Sequence, residues 1–313
     1  MYIMTRKILT IEQATKEFLV KTKGKVKEST FAHYSFTCER HILPYFGAIE
    51  ITELSNKHIN DFIQSKLKNG GLNSKPLSAK TVNDMIGLLL QIIKKHSISD
   101  MDIEKPSYTQ KEVDIFTETE YNKLKSYLSI GTDSRKLGII IVMLTGIRIG
   151  ELCALKWENI DLENGIISIN KTIQRIKVTG NTKKQKTKII IDTPKSPTSI
   201  RKIPMPLILL NKLKAWEIPT NDDTYLLTNT KQYVEPRVYQ RIFKDYLKAC
   251  EVKDNKFHVL RHTFATTAIS KGVDIKTLSV LLGHSDVSFT MKRYVHPNIE
   301  HKRIQIEKLA HDF

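Results

Sequence analysis

The chain has 313 residues, with 50 Lys and Arg against 33 Asp and Glu, a formal net charge of +17 and 40% hydrophobic residues. That length accommodates two ordinary domains, and the composition excludes a disordered chain. The basic excess points to a polyanionic partner, either nucleic acid or an anionic membrane.

The opening residues, "MYIMTRKILT", hold no apolar signal core, and the longest apolar run, "LGIIIVML" at 137–144, is far too short to span a bilayer. A cytoplasmic protein with no membrane partner is expected. The first hundred residues read as helices. Thr10 and Gln13 form a capping box ahead of Ile11, Ala14 and Phe18 on one face. "STFAHYSFTCERHILPYFG" carries Phe31, Tyr34, Cys38 and Ile42 and is expected to stop near Pro44 and Gly47. Ser55 caps a helix with Ile59, Phe62, Ile63 and Leu67 before Gly70 and Gly71. Ser78 begins the clearest period, with Val82, Met85, Ile86, Leu89 and Ile93. Periodicity then fades around a proline, so 1–98 is expected to be one helical domain and 99–114 a linker, with a second domain over 115–313.

The second domain opens on another capping box, Thr117 with Glu120, followed by Leu124 and Leu128 and by the apolar helix that ends at Gly146. Residues 147–158 read as helix and 166–204 as a three-stranded antiparallel patch. From Pro206 the chain is helical again, with Val238, Ile242, Tyr246 and Cys250 expected on one stripe. The fold class is therefore mainly α with a small antiparallel β-sheet. Cys38, Cys153 and Cys250 are odd in number and widely spaced, which fits a reducing compartment and neither a disulfide framework nor a zinc site. "CERH" at 38–41 has ligand-like spacing without a second pair, and reads as two ordinary helix positions.

The charge is uneven. Residues 171–202 hold ten Lys and Arg against the single acid Asp192, which is +9 of the +17. β-branched segments are threaded through this run, so it reads as strands joined by basic turns that reach toward phosphates. Lys183, Lys184, Lys186 and Lys188 are the candidate DNA contacts.

Four further places put reactive groups where a core would reject them: "TGIRIGEL" with Arg148 and Glu151, "TPKSPTSIRKIP" with Lys195, "HVLRHT" with His258, Arg261 and His262, and "LLGHS" with His284. Ten residues past His284 comes Tyr294, in "MKRYVHP". Two arginine forks can grip one phosphodiester, an ammonium can deliver a proton, imidazoles can donate or shuttle one, and a phenol can attack phosphorus. With no carboxylate cluster suited to Mg²⁺ among the motifs, the set argues for metal-free phosphoryl transfer through a covalent protein intermediate.

These motifs, in this order, resemble those of the tyrosine recombinase (phage integrase) family, in wording similar to the integrases of phages and conjugative transposons. The resemblance covers about residues 10–313. It implies a SAM-like core-type DNA-binding domain and a mostly helical catalytic domain that together clamp a recombination site on double-stranded DNA. It also implies one-strand cleavage through a 3′-phosphotyrosine, with no metal, no ATP and no other cofactor, and the integration or excision of a mobile element. A homotetramer on DNA, a monomer free in solution and an accessory directionality factor are implied partners. Carried over residue by residue, Arg148 and Arg261 clamp the phosphate and Tyr294 is the nucleophile. Lys195 protonates the leaving 5′-oxygen, His258 does acid–base work on the tyrosine, and His284 hydrogen-bonds the phosphate. Glu151 and His262 are supports, His262 through a core hydrogen bond. About nine residues precede the first predicted helix, where many such integrases carry an additional arm-binding domain. Two rivals share part of this pattern. A helix-turn-helix regulator would explain "GVDIKTLSVLLGHSDVSFTMKRY" and the charge, though not five separate reactive motifs. A type IB topoisomerase would share the covalent chemistry.

Overall fold

Several helix starts in this protein are set by short polar residues that close backbone amides. In the computed structural model, which describes residues 9–96, 103–109, 113–131, 133–178, 186–194, 197–216, 222–295, 299, 303, 306 and 307, Thr10 accepts from the Gln13 amide while Gln13 accepts from that of Thr10. This box opens helix α1 (Ile11–Thr22). Helix α2 (Glu28–Thr37) runs through a π-turn at Cys38–Ile42 into α3 (Leu43–Phe46). The run stops as expected near Pro44 and Gly47, with Gly47 as the C-cap of α3. Pro44 falls in the first turn of a new helical segment, where its missing N–H costs nothing. Ser55 and Ser78 cap α4 (Asn56–Asn69) and α5 (Ala79–Ile93) as the sequence suggests.

The chain divides into two compact units, the first Met1–Lys111 with Arg175–Lys188 and the second Glu112–Gln174 with Ile189–Phe313. The first is built on α1 to α5. Its core gathers Ile11, Ile42, Phe46, Ile59, Phe62, Val82, Ile86 and Leu89, each fully buried side chain contributing about 2 kcal/mol. Tyr45, Phe46 and Phe62 pack ring to ring at 4.8 to 5.1 Å.

The second unit begins with α6 (Glu118–Ser129), capped by the Thr117–Glu120 box, then α7 (Ser134–Thr145) and the short α8 (Ile149–Ala154). The region expected to hold one three-stranded patch holds four strands in two sheets. Strands β1 (Ile160–Asp161), β2 (Ile166–Ile169) and β5 (Arg201–Pro204) form an antiparallel sheet in the order β1-β2-β5. Strands β3 (Thr172–Lys177) and β4 (Thr187–Asp192) pair separately. The β2–β5 register sets Ile167 against Ile203 and Ile169 against Arg201, and along β5 the alternation buries Arg201 and Ile203 on the same face.

Helices α9 (Leu207–Lys214), α10 (Pro236–Ala249), α11 (His258–Ser270), α12 (Ile275–Leu282) and α13 (Val287–Tyr294) complete the unit. On α10 the fully buried stripe is Tyr239, Phe243 and Leu247, one position on from the expected Val238, Ile242, Tyr246 and Cys250. Both sets recur every four residues, and the larger rings take the deeper face. Among the described residues no helix is long and apolar enough to cross a membrane.

Candidate active site

The second unit places three arginines around the C-terminal end of one helix. Helix α12 stops at Gly283, whose φ of +66° is the left-handed conformation glycine adopts without strain. A helix end leaves its last carbonyls without intrahelical partners and concentrates negative partial charge there. Arg201 Nε donates to Leu281 O at 2.6 Å, Arg261 Nη2 to Leu282 O at 2.8 Å and Arg148 Nη2 to Gly283 O at 3.2 Å. Helix α7 ends in the same way at Gly146 (φ +67°), and its carbonyl takes Arg261 Nη1 at 2.8 Å. Two glycine stops thus present the oxygens on which three guanidiniums, from α8, β5 and α11, are fixed.

Glu151 balances the cluster. Its carboxylate is 2% exposed and receives Arg148 Nη1 at 2.9 Å, the Arg148 amide at 2.9 Å and Arg201 Nη2 at 2.9 Å. An arginine at a helix N-terminus faces the unfavourable end of the dipole, and Glu151, three residues on, compensates. Burial pushes the Glu151 pKa up, but the Arg201 hydrogen bonds and the Arg201 and Arg148 charges outweigh it and hold it below the usual value. Arg201 is 7% exposed and was not singled out in the sequence. The signal was present: on a strand reading "RKIP", the arginine shares a face with Ile203.

Arg261 is 1% exposed. Burial, with Arg148 next in effect, pushes its pKa down to about 9, so the guanidinium is still charged at neutral pH. It also lies 2.9 Å from His284 Nε2. Arginine can only donate, so Nε2 accepts. The His284 proton is then on Nδ1, facing Thr290 Oγ1 at 2.8 Å. Burial and the three surrounding arginines depress the His284 pKa to about 3, which keeps the ring neutral. Arg148 is the more open of the arginines, its side chain 36% exposed. Among the described residues Arg148 donates from Nη1 to Glu151 and from Nη2 to Gly283, which leaves part of its five-donor set uncommitted.

Tyr294 lies in this pocket, 6% exposed, in the same chain as the arginines. Its ring stacks parallel to His284, with centroids 6.5 Å apart and 6° between planes. Its Oη is 2.9 Å from His262 Nδ1. Burial raises the Tyr294 pKa, against the pull of Arg261, Arg293 and Arg148 on the phenolic oxygen. His262, expected to brace the core, therefore makes its hydrogen bond to the phenol itself. His258 packs edge-on to His262 at 4.4 Å and opens to solvent. Crowding by the protein comes first, then His262, Arg261, Arg148 and Arg293, in lowering its pKa.

The structure brings together Arg148, Glu151, His258, Arg261, His262, His284 and Tyr294. Lys195, Lys183 and Lys184 lie outside the described residues. Lys186 is exposed, and Lys188 forms an ion pair with Glu28.

Guanidiniums fixed around a phenol, all in one mixed and mostly helical unit, form a pocket suited to an anion. The Phage integrase family matches residues 114–301, and the Phage integrase N-terminal SAM-like domain matches residues 10–67. The chain belongs to this family and is a tyrosine recombinase, the class that acts in site-specific DNA recombination. It is 31% identical over 215 residues to a tyrosine recombinase XerC-like protein of Caldanaerobacter subterraneus subsp. tengcongensis, covering 64% of this chain and 54% of that one. It is 24% identical to the ICEBs1 integrase of Bacillus subtilis, covering 89% and 77%. The fold matches the Tn1549 transposon integrase, solved in complex with transposon right end DNA, at a TM-score of 0.77 and 22% identity, covering 96% of this chain and all of that one.

Proposed function

We propose that this recombinase cuts one DNA strand at a time at a specific site on double-stranded DNA, integrating or excising a mobile element. Arg148 and Arg261 grip the nonbridging oxygens of the scissile phosphate. Tyr294 attacks phosphorus, a 3′-phosphotyrosine forms, and the 5′-oxygen leaves with a proton from Lys195. After strand exchange the partner's 5′-hydroxyl attacks that ester, so the bond energy is conserved and no nucleotide cofactor is consumed. His258 and His284 tune the protonation and hydrogen bonding of the reacting groups, Glu151 holds Arg148, and Lys183, Lys184, Lys186 and Lys188 draw the DNA backbone. Residues 1–98 act as the core-type DNA-binding domain, 99–114 as a linker and 115–313 as the catalytic domain, four copies assembling on paired sites with a separate factor setting direction.

The observation that carries this reading is Tyr294 in the same pocket as Arg148 and Arg261, its phenolate favoured by both and its phenol favoured by burial. Forming a phenolate at neutral pH from an ordinary tyrosine costs roughly 4 kcal/mol, and burial adds to that. Cations already fixed in place offset the cost, and they also stabilise the extra charge of the pentacoordinate phosphorus. The test is a suicide duplex followed by denaturing electrophoresis. A DNA adduct stable to detergent is expected from the native chain and none from Tyr294→Phe, with site binding preserved in both. A regulator without chemistry would give no adduct from either, and relaxation of any supercoiled plasmid would indicate a topoisomerase.

A further inference from the structure

The phenolic proton of Tyr294 has to go somewhere when its oxygen attacks, and among the described residues the pocket shows one acceptor in contact with it. His262 Nδ1 is 2.9 Å from Tyr294 Oη, and both residues are buried, at 8% and 6% exposure. The groups around His262 are His258 and Arg261 on its own helix, Arg293 and Tyr294 on α13, and Asp114 in the segment before α6. Burial, then Arg293 and Arg261, lower its pKa to about 4 against the opposing charge of Asp114. The ring is therefore neutral at physiological pH and has a lone pair on one nitrogen. In the tautomer that carries the ring's proton on Nε2, Nδ1 accepts the hydrogen bond of the phenol. Among the described residues, His258 makes no such bond to the phenol.

We propose that His262 is the base that takes the proton from Tyr294 as Oη attacks the scissile phosphate, an inference that rests on Tyr294 being the nucleophile. The Oη–H bond breaks and its proton passes to Nδ1. The Oη–P bond forms as the P–O5′ bond breaks, and the leaving oxygen is protonated by a different group, the role proposed for Lys195. On rejoining, the incoming 5′-hydroxyl gives its proton to the group that had protonated the leaving oxygen and bonds to phosphorus as the Oη–P bond breaks, and Oη recovers its proton from Nδ1. Substrate sharpens the base. Arg261 and Arg293 oppose a charged imidazole in the free protein, and the negative phosphodiester, once seated, offsets them.

The experiment uses the full chain and a duplex spanning the joined ends of the element that carries the gene. It carries either ordinary linkages or a 5′-bridging phosphorothiolate set at each crossover position in turn, because a thiolate leaves without needing a proton. The initial rate of detergent-stable adduct is followed from mildly acidic to mildly alkaline pH, with site binding and circular dichroism as controls. His262→Asn keeps an acceptor oxygen near the position of Nδ1 and removes the base. His262→Ala removes both.

Both variants are expected to form adduct about 100-fold more slowly, equally on oxygen and sulfur substrates. Their rates climb with pH, as hydroxide replaces the base, and added imidazole accelerates the alanine variant. Wild-type rates in His262→Asn, or recovery of either variant on the sulfur substrate, would overturn the proposal. Adduct from Tyr294→Phe would instead sink the assignment of the nucleophile.

Discussion

Arg261 exposes 1% of its surface and directs its donors to Gly146, Leu282 and His284, whereas Lys186 on the basic hairpin is open to solvent. Both carry one positive charge. In the pocket that charge is desolvated and fixed to within hydrogen-bond geometry, so it acts on a developing charge without reorganising. On the hairpin it is exposed to solvent, so on the proposed reading it acts on the DNA polyanion at longer range and yields to salt. On that proposed reading, buried cations serve the chemistry and exposed cations serve affinity.

The strongest way to break that contrast is Arg261→Lys. A point charge replaces a fork that bridges two helix ends, and cleavage is expected to fall by about 10²- to 10³-fold while site affinity changes far less. Equal losses in adduct rate and in gel-shift affinity would reduce Arg261 to a backbone contact. Next in size is Glu151→Ala, which leaves two guanidiniums without their common carboxylate. Chemical denaturation should show a loss of about 3 to 5 kcal/mol, and Arg201→Met should cost less because it removes a charge instead of stranding one.

A pH titration of stability sharpens the same point. His262 and His284 are held at about 4 and about 3 in the folded state against 6.5 unfolded. Below pH 6.5 the unfolded chain binds the additional protons, so stability is full above that value and falls as pH drops toward 4. Each imidazole contributes a slope of about 1.4 kcal/mol per pH unit, and Glu151 adds to the loss below its ordinary 4.5. His262→Asn should flatten the acid limb by one imidazole's share; an unchanged limb would mean the ring is not held neutral. The smallest effect belongs to the hairpin. Lys186→Glu with Lys188→Glu should weaken DNA binding and lower the salt slope by about one unit for each phosphate left without its lysine. The adduct rate of bound complexes should stay the same.

Much of this was legible in the chain. The capping residues at Thr10, Ser55, Ser78 and Thr117 fixed where helices start, because a side chain that closes a free amide is a local signal. The motifs around Arg148, His258, Arg261, His284 and Tyr294 gave the pocket's members, since charge at apolar spacing conflicts with a core. What escaped was tertiary. Arg201 looked like one more member of a basic run until the β2–β5 register turned it inward. His262 looked like a brace because its partner lies 32 residues away on α13. The α10 stripe slipped by one because two four-residue repeats sit side by side and only packing decides between them.

The arginine-lined end of α12 also has a thermodynamic consequence. Arg148, Arg201 and Arg261 crowd together with Glu151 as their shared buried carboxylate, and Arg148 is the leading charge acting against Arg261. The free protein bears that mutual repulsion as a standing cost to its own fold, and a seated phosphodiester relieves it. The recombinase should therefore be heat-labile alone and markedly hardier on its DNA, because its substrate doubles as the counter-ion its architecture leaves for last.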